Sequence, residues 1–273
     1  WGISDVYRYD NLRSISVRVR RRRDTVSFSS GKGGKDEEEY HDRDEYEGDV
    51  NDPYNNDINN KMHVIAISVH VDTVSTSSGG SDNAASCGIA LEVLENVASL
   101  ATNRETRNFL PAKTGIVFHF LTAEEVGLIG ATATMKSHPW FRQKNAKPSV
   151  IVNLESMGSG GPQMLFKTEK GIHGETFERR MLETWAESVP YPNSASVYGQ
   201  IFRSGVIPSE TDGRVYNEKG AAVIDLAFVE RSFVYHTSRD RVKGMRRGSA
   251  QASGENIVAF VGAFLQKRDQ FAD

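Results

Sequence analysis

The stretch HVIAISVHVD, His63 to Asp72, decides the architecture. From His63 to Val69 it is a near-continuous apolar run rich in β-branched residues and bounded by polar ones. That is the pattern of a strand buried on both faces. Such strands belong to parallel sheets with helices on either side, so the flanking sequence ought to alternate between strand and helix. Downstream, apolar residues at helical spacing (Ile89, Leu91, Leu94, Val97) predict a helix over Ala84 to Leu100. Gly115 to Leu121 (GIVFHFL) predicts a second buried strand, Val126 to Lys136 a helix of small residues, and Val150 to Leu154 (VIVNL) a third strand. Phe177 to Ser188 reads as a helix, Ala221 to Val229 (AAVIDLAFV) as a further strand and Gly254 to Gln266 as a closing helix. Upstream, Ser14 to Val19 alternates as an edge strand would. The expected fold is α/β, a mostly parallel sheet between two layers of helices.

Composition sets the outer bounds. The 273 residues suit one large α/β domain and are borderline for two, and the 38% apolar content with 24 glycines allows a sizeable core. Lys+Arg 33 against Asp+Glu 36 leaves a net charge of −3, which argues against a nucleic-acid binder relying on bulk charge. No run approaches ~18 consecutive apolar residues. The chain opens on Trp1 with no basic-then-apolar leader, as an excised piece of a longer protein would. Cys87 is the only cysteine, which excludes an internal disulfide framework and a thiolate zinc site; it reads as a small hydrophobe within a helix.

Two regions are expected. Residues 1–60 hold the edge strand, a basic cluster (Arg18, Arg20 to Arg23) and an acidic run from Asp36 to Asp57 with eleven acids against Arg43. They read as a mobile insertion whose charges partly neutralise each other, with a metal-collecting loop or a partner-docking arm as alternatives. Residues 61–273 read as the ordered domain.

Parallel sheets bind ligands outside the carboxyl ends of their strands, and here those ends are polar. The first strand ends in His70-Val71-Asp72, whose His and Asp share a side through the two-residue period and could supply an imidazole ligand with its orienting carboxylate. Gly79-Gly80-Ser81-Asp82-Asn83 follows, where Asp82 either caps the next helix or reaches back toward His70. The second strand ends in Glu124-Glu125, acids that either favour the positive end of a helix or divide work between a metal and an attacking water. The third ends in Asn153-Leu154-Glu155, and the last leads through Phe233-Val234-Tyr235 to His236. A Glu closing an apolar strand is costly if buried unpaired, and a cation would compensate it. Oxygen and imidazole donors without thiolate suit hydrolytic zinc, and five ligands suit two ions with a bridging carboxylate.

Taken in order, His70-Val71-Asp72, Gly80-Ser81-Asp82-Asn83, Thr122-Ala123-Glu124-Glu125-x-Gly127-x-x-Gly130-Ala131, Asn153-Leu154-Glu155-x-x-Gly158 and Tyr235-His236-Thr237 resemble the co-catalytic zinc aminopeptidases, family 28 of the metallopeptidases. Ser204 to Asp212 (SGVIPSETD), His138-Pro139-Trp140 and Gly254-Glu255-Asn256 look like its endoplasmic-reticulum branch, with plant and vacuolar-membrane relatives. The resemblance covers about Lys61 to Gln266. It implies a three-layer α/β/α sandwich with a mostly parallel, mixed central sheet. It also implies a zinc-dependent exopeptidase of the aminopeptidase type, hydrolysing N-terminal peptide bonds with a water activated between two zinc ions per chain. Asp82 would bridge the zincs, His70 and Glu155 would complete one, and Glu125 and His236 the other. Glu124 would be the general base and Asp72 would orient His70. A strained, cis-type peptide bond between Asp82 and Asn83 belongs to the same pattern. Tyr235 could donate to the oxyanion or simply pack; Asp212 could line the substrate pocket or cap a helix. The implied partners are peptide or protein N-termini, with no nucleic acid, and membrane contact only through segments outside this chain. The implied location is the lumenal face of the endoplasmic-reticulum or vacuolar membrane system. Gly213 stands where the branch commonly carries an aromatic, and Glu155 where many soluble members carry Asp. Two other readings use the same residues: a single-zinc glutaminyl cyclase-like enzyme and a catalytically inactive interaction domain. The other histidines, His41, His63, His119, His138 and His173, fit no ligand pattern and are expected on the surface or in the packed core.

Overall fold

Six strands, β1 (Ile15–Arg20), β2 (His63–His70), β3 (Thr114–Leu121), β4 (Val150–Ser156), β5 (Met164–Glu169) and β6 (Ala222–Phe228), form one sheet in the order β1-β3-β2-β4-β6-β5. The computed structural model describes residues 14–20, 63–103, 106, 109–111, 114–137, 150–161, 163–195, 210–267 and 271. Most of the charged region before residue 61, and the motifs at residues 138–140 and 204–209, lie outside these. The four inner strands are mutually parallel, and β1 and β5 run antiparallel at the two edges.

The apolar runs do what their composition requires. Ile65, Ile67 and Val69 of β2 point to one face, where α1 (Ser86–Thr102), α3 (Glu175–Ser188) and α5 (Ser249–Gln266) supply Ile89, Val93, Trp185, Phe260 and Phe264. Val64 and Ala66 point to the other, where α2 (Ile129–Ser137) and α4 (Asp212–Glu218) supply Ala131, Met135, Val215 and Tyr216. Both faces are thus dry, and fully burying a side chain such as Ile67 or Phe118 contributes about 1.5–3 kcal/mol. The three-layer mixed sandwich is as expected.

Two elements escaped the sequence reading. β5 is a short edge strand in which three apolar residues are followed by three polar ones without alternation, with an irregularity between Leu165 and Lys167. α4 has seven residues, fewer than a helical period needs to declare itself. α5 also starts at Ser249, before the expected Gly254, and α2 starts only at Ile129 because Ala123 and Leu128 both adopt left-handed backbone. The run Gly80–Ala101 has a mean hydropathy of 1.3 and is long and apolar enough for a membrane crossing by those measures alone. Here it is a domain helix with its preceding turn: Ile89, Ala90, Val93 and Val97 are buried in the core.

Register sets the site. Ser68 pairs with both His119 and Asn153, and Asn153 pairs with Asp225. Two residues further along, on the same face, His70 and Glu155 therefore emerge side by side at the carboxyl ends of β2 and β4.

Candidate active site

His70 is the anchor. Its Nδ1 lies 3.0 Å from the Asp72 main-chain carbonyl, which can only accept, so Nδ1 carries the proton. In the neutral ring, Nε2 then turns its lone pair on Asp82 Oδ1 and Glu155 Oε2, each 3.3 Å away. A lone pair facing two carboxylates is unfavourable unless a proton or a cation lies among them. The same arrangement recurs at His236, whose Nε2 lies 3.2 Å from Asp82 Oδ2 and 3.2 Å from Glu125 Oε2. Asp82 thus divides its two oxygens between two imidazole–carboxylate sets. Atoms of His70, Asp82 and Glu125 fall within 4.8 Å of one another, close enough to surround a metal ion. Glu125 Oε1 is buried without a hydrogen bond, as a ligand atom would be before its cation arrives. The donor set, its pairing around Asp82 and this orphaned oxygen fit divalent metal ions bound through oxygen and imidazole.

The local backbone is bent to deliver these groups. The turn Gly80–Ala85 departs from helical backbone at Asp82 and Asn83, whose peptide bond is cis, so Asp82 is presented to the site and caps no helix. Gly80 lies so close to the following segment that a Cβ there would meet the Arg241 carbonyl carbon and the Val242 nitrogen at 2.3 Å. Ala123 (φ 60°) turns the chain abruptly before Glu124, and His236 itself sits at φ 57°. Left-handed backbone at two non-glycine residues is costly and concentrates where a site needs it.

Contacts behind the site fix it further. The Asp72 carboxylate, 3.7 Å from His70 Nδ1, accepts from the main-chain N–H groups of Glu124 and Glu125, both at 3.2 Å. Asp72 therefore orients His70 chiefly through its carbonyl, while its side chain fastens the Glu-Glu pair. The fully buried Asp240 carboxylate accepts from Ser81 N (2.7 Å), Ser81 Oγ (2.6 Å) and Asp82 N (3.1 Å), tying the His236 loop to the Asp82 loop. Asn153 Nδ2 donates to Glu155 Oε1 (3.0 Å) and to Asp225 Oδ1 (2.8 Å). Cys87 Sγ donates to the His70 carbonyl (3.1 Å), and burial pushes its thiol up to about 11.

The electrostatics follow from crowding acids without a cation. Burial, then Glu155, Asp212 and Glu125, push Glu124 up to about 10. Burial and Asp82 raise Glu125 to about 7. Burial opposes the charge on His70, but Glu155 and the Asp72 and Asp82 side chains prevail and hold it well above the usual imidazole value. Asp82 raises His236. For Asp82 and Asp72 burial is outweighed by the imidazoles, which hold both carboxyls below the ordinary range. A metal ion would replace the protons this cluster otherwise retains.

A cavity of about 560 Å³ opens over these groups, its wall including Glu124, Leu128, Met157, Phe166, Arg214 and Tyr235. Tyr235 stacks on His236 with ring centroids 3.7 Å apart, and burial raises its phenol above the usual value. Asp212 is 1% exposed and does not line the cavity. Nor does it cap α4; Thr211 does, accepting from Gly213 N. Burial and Glu155 raise Asp212 to about 8. The sequence reading gave no role to Asp240, Asn153 or Asp225. Asp225 and Asn153 carried a signal, each as a polar side chain interrupting an apolar run, AAVIDLAFV and VIVNL.

Comparison with known proteins gives the family and the fold. The family description Peptidase family M28 matches residues 55–261. The chain is 33% identical over 199 residues to endoplasmic reticulum metallopeptidase 1 of Homo sapiens, covering 72% of this chain and 20% of that protein. It is 34% identical over 200 residues to a vacuolar membrane protease of Candida dubliniensis, covering 73% of this chain and 19% of that protein. The chain thus spans about a fifth of the length of these curated relatives. Among solved structures, the LapA aminopeptidase of Legionella pneumophila shares the fold with a TM-score of 0.55 at 16% identity, over 76% of this chain and 53% of that one.

Proposed function

The chain belongs to peptidase family M28, and from that premise we propose that it is a zinc-dependent exopeptidase of the aminopeptidase type, acting on the N-termini of peptides or proteins. The observation that carries this reading is Asp82, whose two oxygens are divided between His70 with Glu155 and His236 with Glu125. In this reading those five residues hold two zinc ions, with Asp82 shared. Bound zinc would supply a Lewis acid for the scissile carbonyl and make water a nucleophile near neutral pH.

The chain's own groups do the rest. Glu124 lines the cavity beside Glu125 without belonging to either set of ligand contacts, which suits the general base. Its carboxylate takes a proton from the attacking water and returns it to the departing amine nitrogen. Asp72 holds His70 by its carbonyl and holds the Glu124 and Glu125 backbone by its carboxylate. Tyr235 fixes the plane of the His236 imidazole by stacking. The negative character of the cavity wall suits a free terminal ammonium, which selects chain ends. The names of the relatives support a place in the endoplasmic-reticulum or vacuolar membrane system; the lumenal face for this domain belongs to the proposal alone.

The test is the metal content of zinc-equilibrated protein by elemental mass spectrometry, native and Asp82→Ala together, alongside hydrolysis of N-terminal peptide substrates. About two zinc ions per chain, collapsing in the variant, support the shared-carboxylate centre. About one moves the reading to cyclase-type chemistry on the same fold. None removes the enzyme reading.

A further inference from the structure

The cavity wall carries one feature that the proposed chemistry does not use. Apart from the His70 and His236 imidazoles and the Tyr235 phenol, the ionisable groups on it are Asp82, Glu124, Glu125, Glu155, Glu210 and Arg214. Among the described residues, Arg214 is therefore the only permanent cation on a wall otherwise lined with acids. Three of the acids are ligands and one the base in the reading above. Glu210 is already engaged, because its Oε2 accepts from Lys167 Nζ at 3.2 Å. Lys167 is buried and lies equally close to Glu169, so this pair is satisfied within the fold.

Arg214 is held differently. It stands on α4, and its ion pair is with Glu218 one turn along, at 3.8 Å between groups at least half exposed. That distance is too long for a hydrogen bond, and an exposed pair of this kind binds weakly enough for a ligand to displace it. The guanidinium fork matches a carboxylate in two parallel hydrogen bonds. Leu128, Met157 and Phe166 give the same cavity an apolar wall that can take the stem carrying such a group.

We propose that Arg214 binds a carboxylate of the substrate, so that the site prefers peptides bearing a negative charge a short apolar stem away from the bond being cleaved. The inference rests on the exopeptidase reading and adds a substrate class to it. Two sources present this chemistry: the side chain of an acidic residue and the free C-terminus of a very short peptide.

Two matched pairs of substrates separate them. One is leucyl-leucine and its C-terminal amide; the other is an N-terminal glutamyl anilide and the glutaminyl anilide. On zinc-loaded protein, kcat/KM is expected to be at least about tenfold higher for the carboxylate member of one pair, and the pair showing it identifies the source. Arg214→Gln is expected to bring that ratio to within about twofold of unity, and Arg214→Lys to recover part of it, with zinc content unchanged in both. Ratios near unity in both pairs for the native protein overturn the proposal, as does a preference that survives Arg214→Gln. If no peptide is cleaved, the exopeptidase reading fails by itself. Calorimetric titration of the same compounds into zinc-loaded protein then decides the question. A tenfold tighter Kd for the carboxylate member, lost in Arg214→Gln, supports the assignment, and equal Kd values overturn it.

Discussion

Replacing Asp240 by Asn ought to damage the site from a distance, and the size of the effect can be worked out from its contacts. One carboxylate oxygen accepts from both Ser81 N and Ser81 Oγ; the other accepts from Asp82 N at 3.1 Å and lies 3.5 Å from Ser77 Oγ. An amide keeps only one acceptor. Whichever way it is turned, its NH2 faces a buried backbone N–H of the Ser81-Asp82 segment and leaves that donor unpaired, at about 1–3 kcal/mol. The surviving bonds lose their charge assistance, adding on the order of 1 kcal/mol. The expected loss is about 3 kcal/mol, or roughly 6–12 °C in Tm for a chain of this size. The loosened loop carries Asp82, and Asp240 follows His236 by four residues, so zinc affinity is expected to drop about 10–100-fold, as for other groups that orient metal ligands. Urea unfolding of native and Asp240→Asn protein, with and without zinc, and chelator competition measure both quantities. A stability change under about 0.5 kcal/mol, or zinc affinity within about twofold of native, would refute the claim that Asp240 clamps the two ligand loops.

Glu124→Gln is expected to lower peptide turnover by about 10²–10⁴-fold while zinc content stays at the native level; turnover within about tenfold of native removes Glu124 from the role of base. Asn153→Leu deletes the donor shared by Glu155 and Asp225, leaving two buried carboxylates short of a partner, and is expected to cost about 3 kcal/mol and to weaken zinc binding. An unchanged denaturation midpoint would show that Asn153 is dispensable. The metal-free protein should lose stability as pH rises from about 4 to 8. Burial, first among the causes, raises Asp225 to about 7 and Asp212 to about 8, so the folded state holds protons that the unfolded chain releases above about 4. Stability contributed by such groups is full below the unfolded pKa and is lost through the folded one. The raised His70 and His236 add to the same trend, whereas Asp72 and Asp82 lose their contribution only as pH falls below about 4. Zinc binding requires deprotonated ligands, so the stabilisation it confers should grow over the same range. Thermal unfolding across pH with and without chelator checks the sign, and a metal-free Tm that is flat or rising contradicts it.

The legible parts of the fold were the ones with local physics. HVIAISV, GIVFHFL and VIVNL announce doubly buried strands because β-branched runs of that length have no other economical burial. Parallel strands gather their carboxyl ends on one edge, so polar residues closing several such runs had to converge. β5 was invisible because MLFKTE groups its apolar and polar residues in two blocks instead of alternating them, and α4 because seven residues are too few to establish a helical period. Asp240 and Asn153 were visible as residues but not as contacts. Asp240 meets its partners across 159 and 158 positions, and Asn153 meets Asp225 across 72.

By itself, then, the sequence determined the layered sheet, the family and the identity and order of the groups at the strand ends, since each follows from patterns within a few residues. Tertiary structure alone decided how Asp82 divides its oxygens, that Asp72 serves His70 through its carbonyl, and that Asp212 sits behind the cavity instead of lining it. The same holds for the charges. A carboxylate's proton affinity depends on which dipoles and charges surround it and on how little water remains, and those neighbours come from strands and loops far apart in the chain.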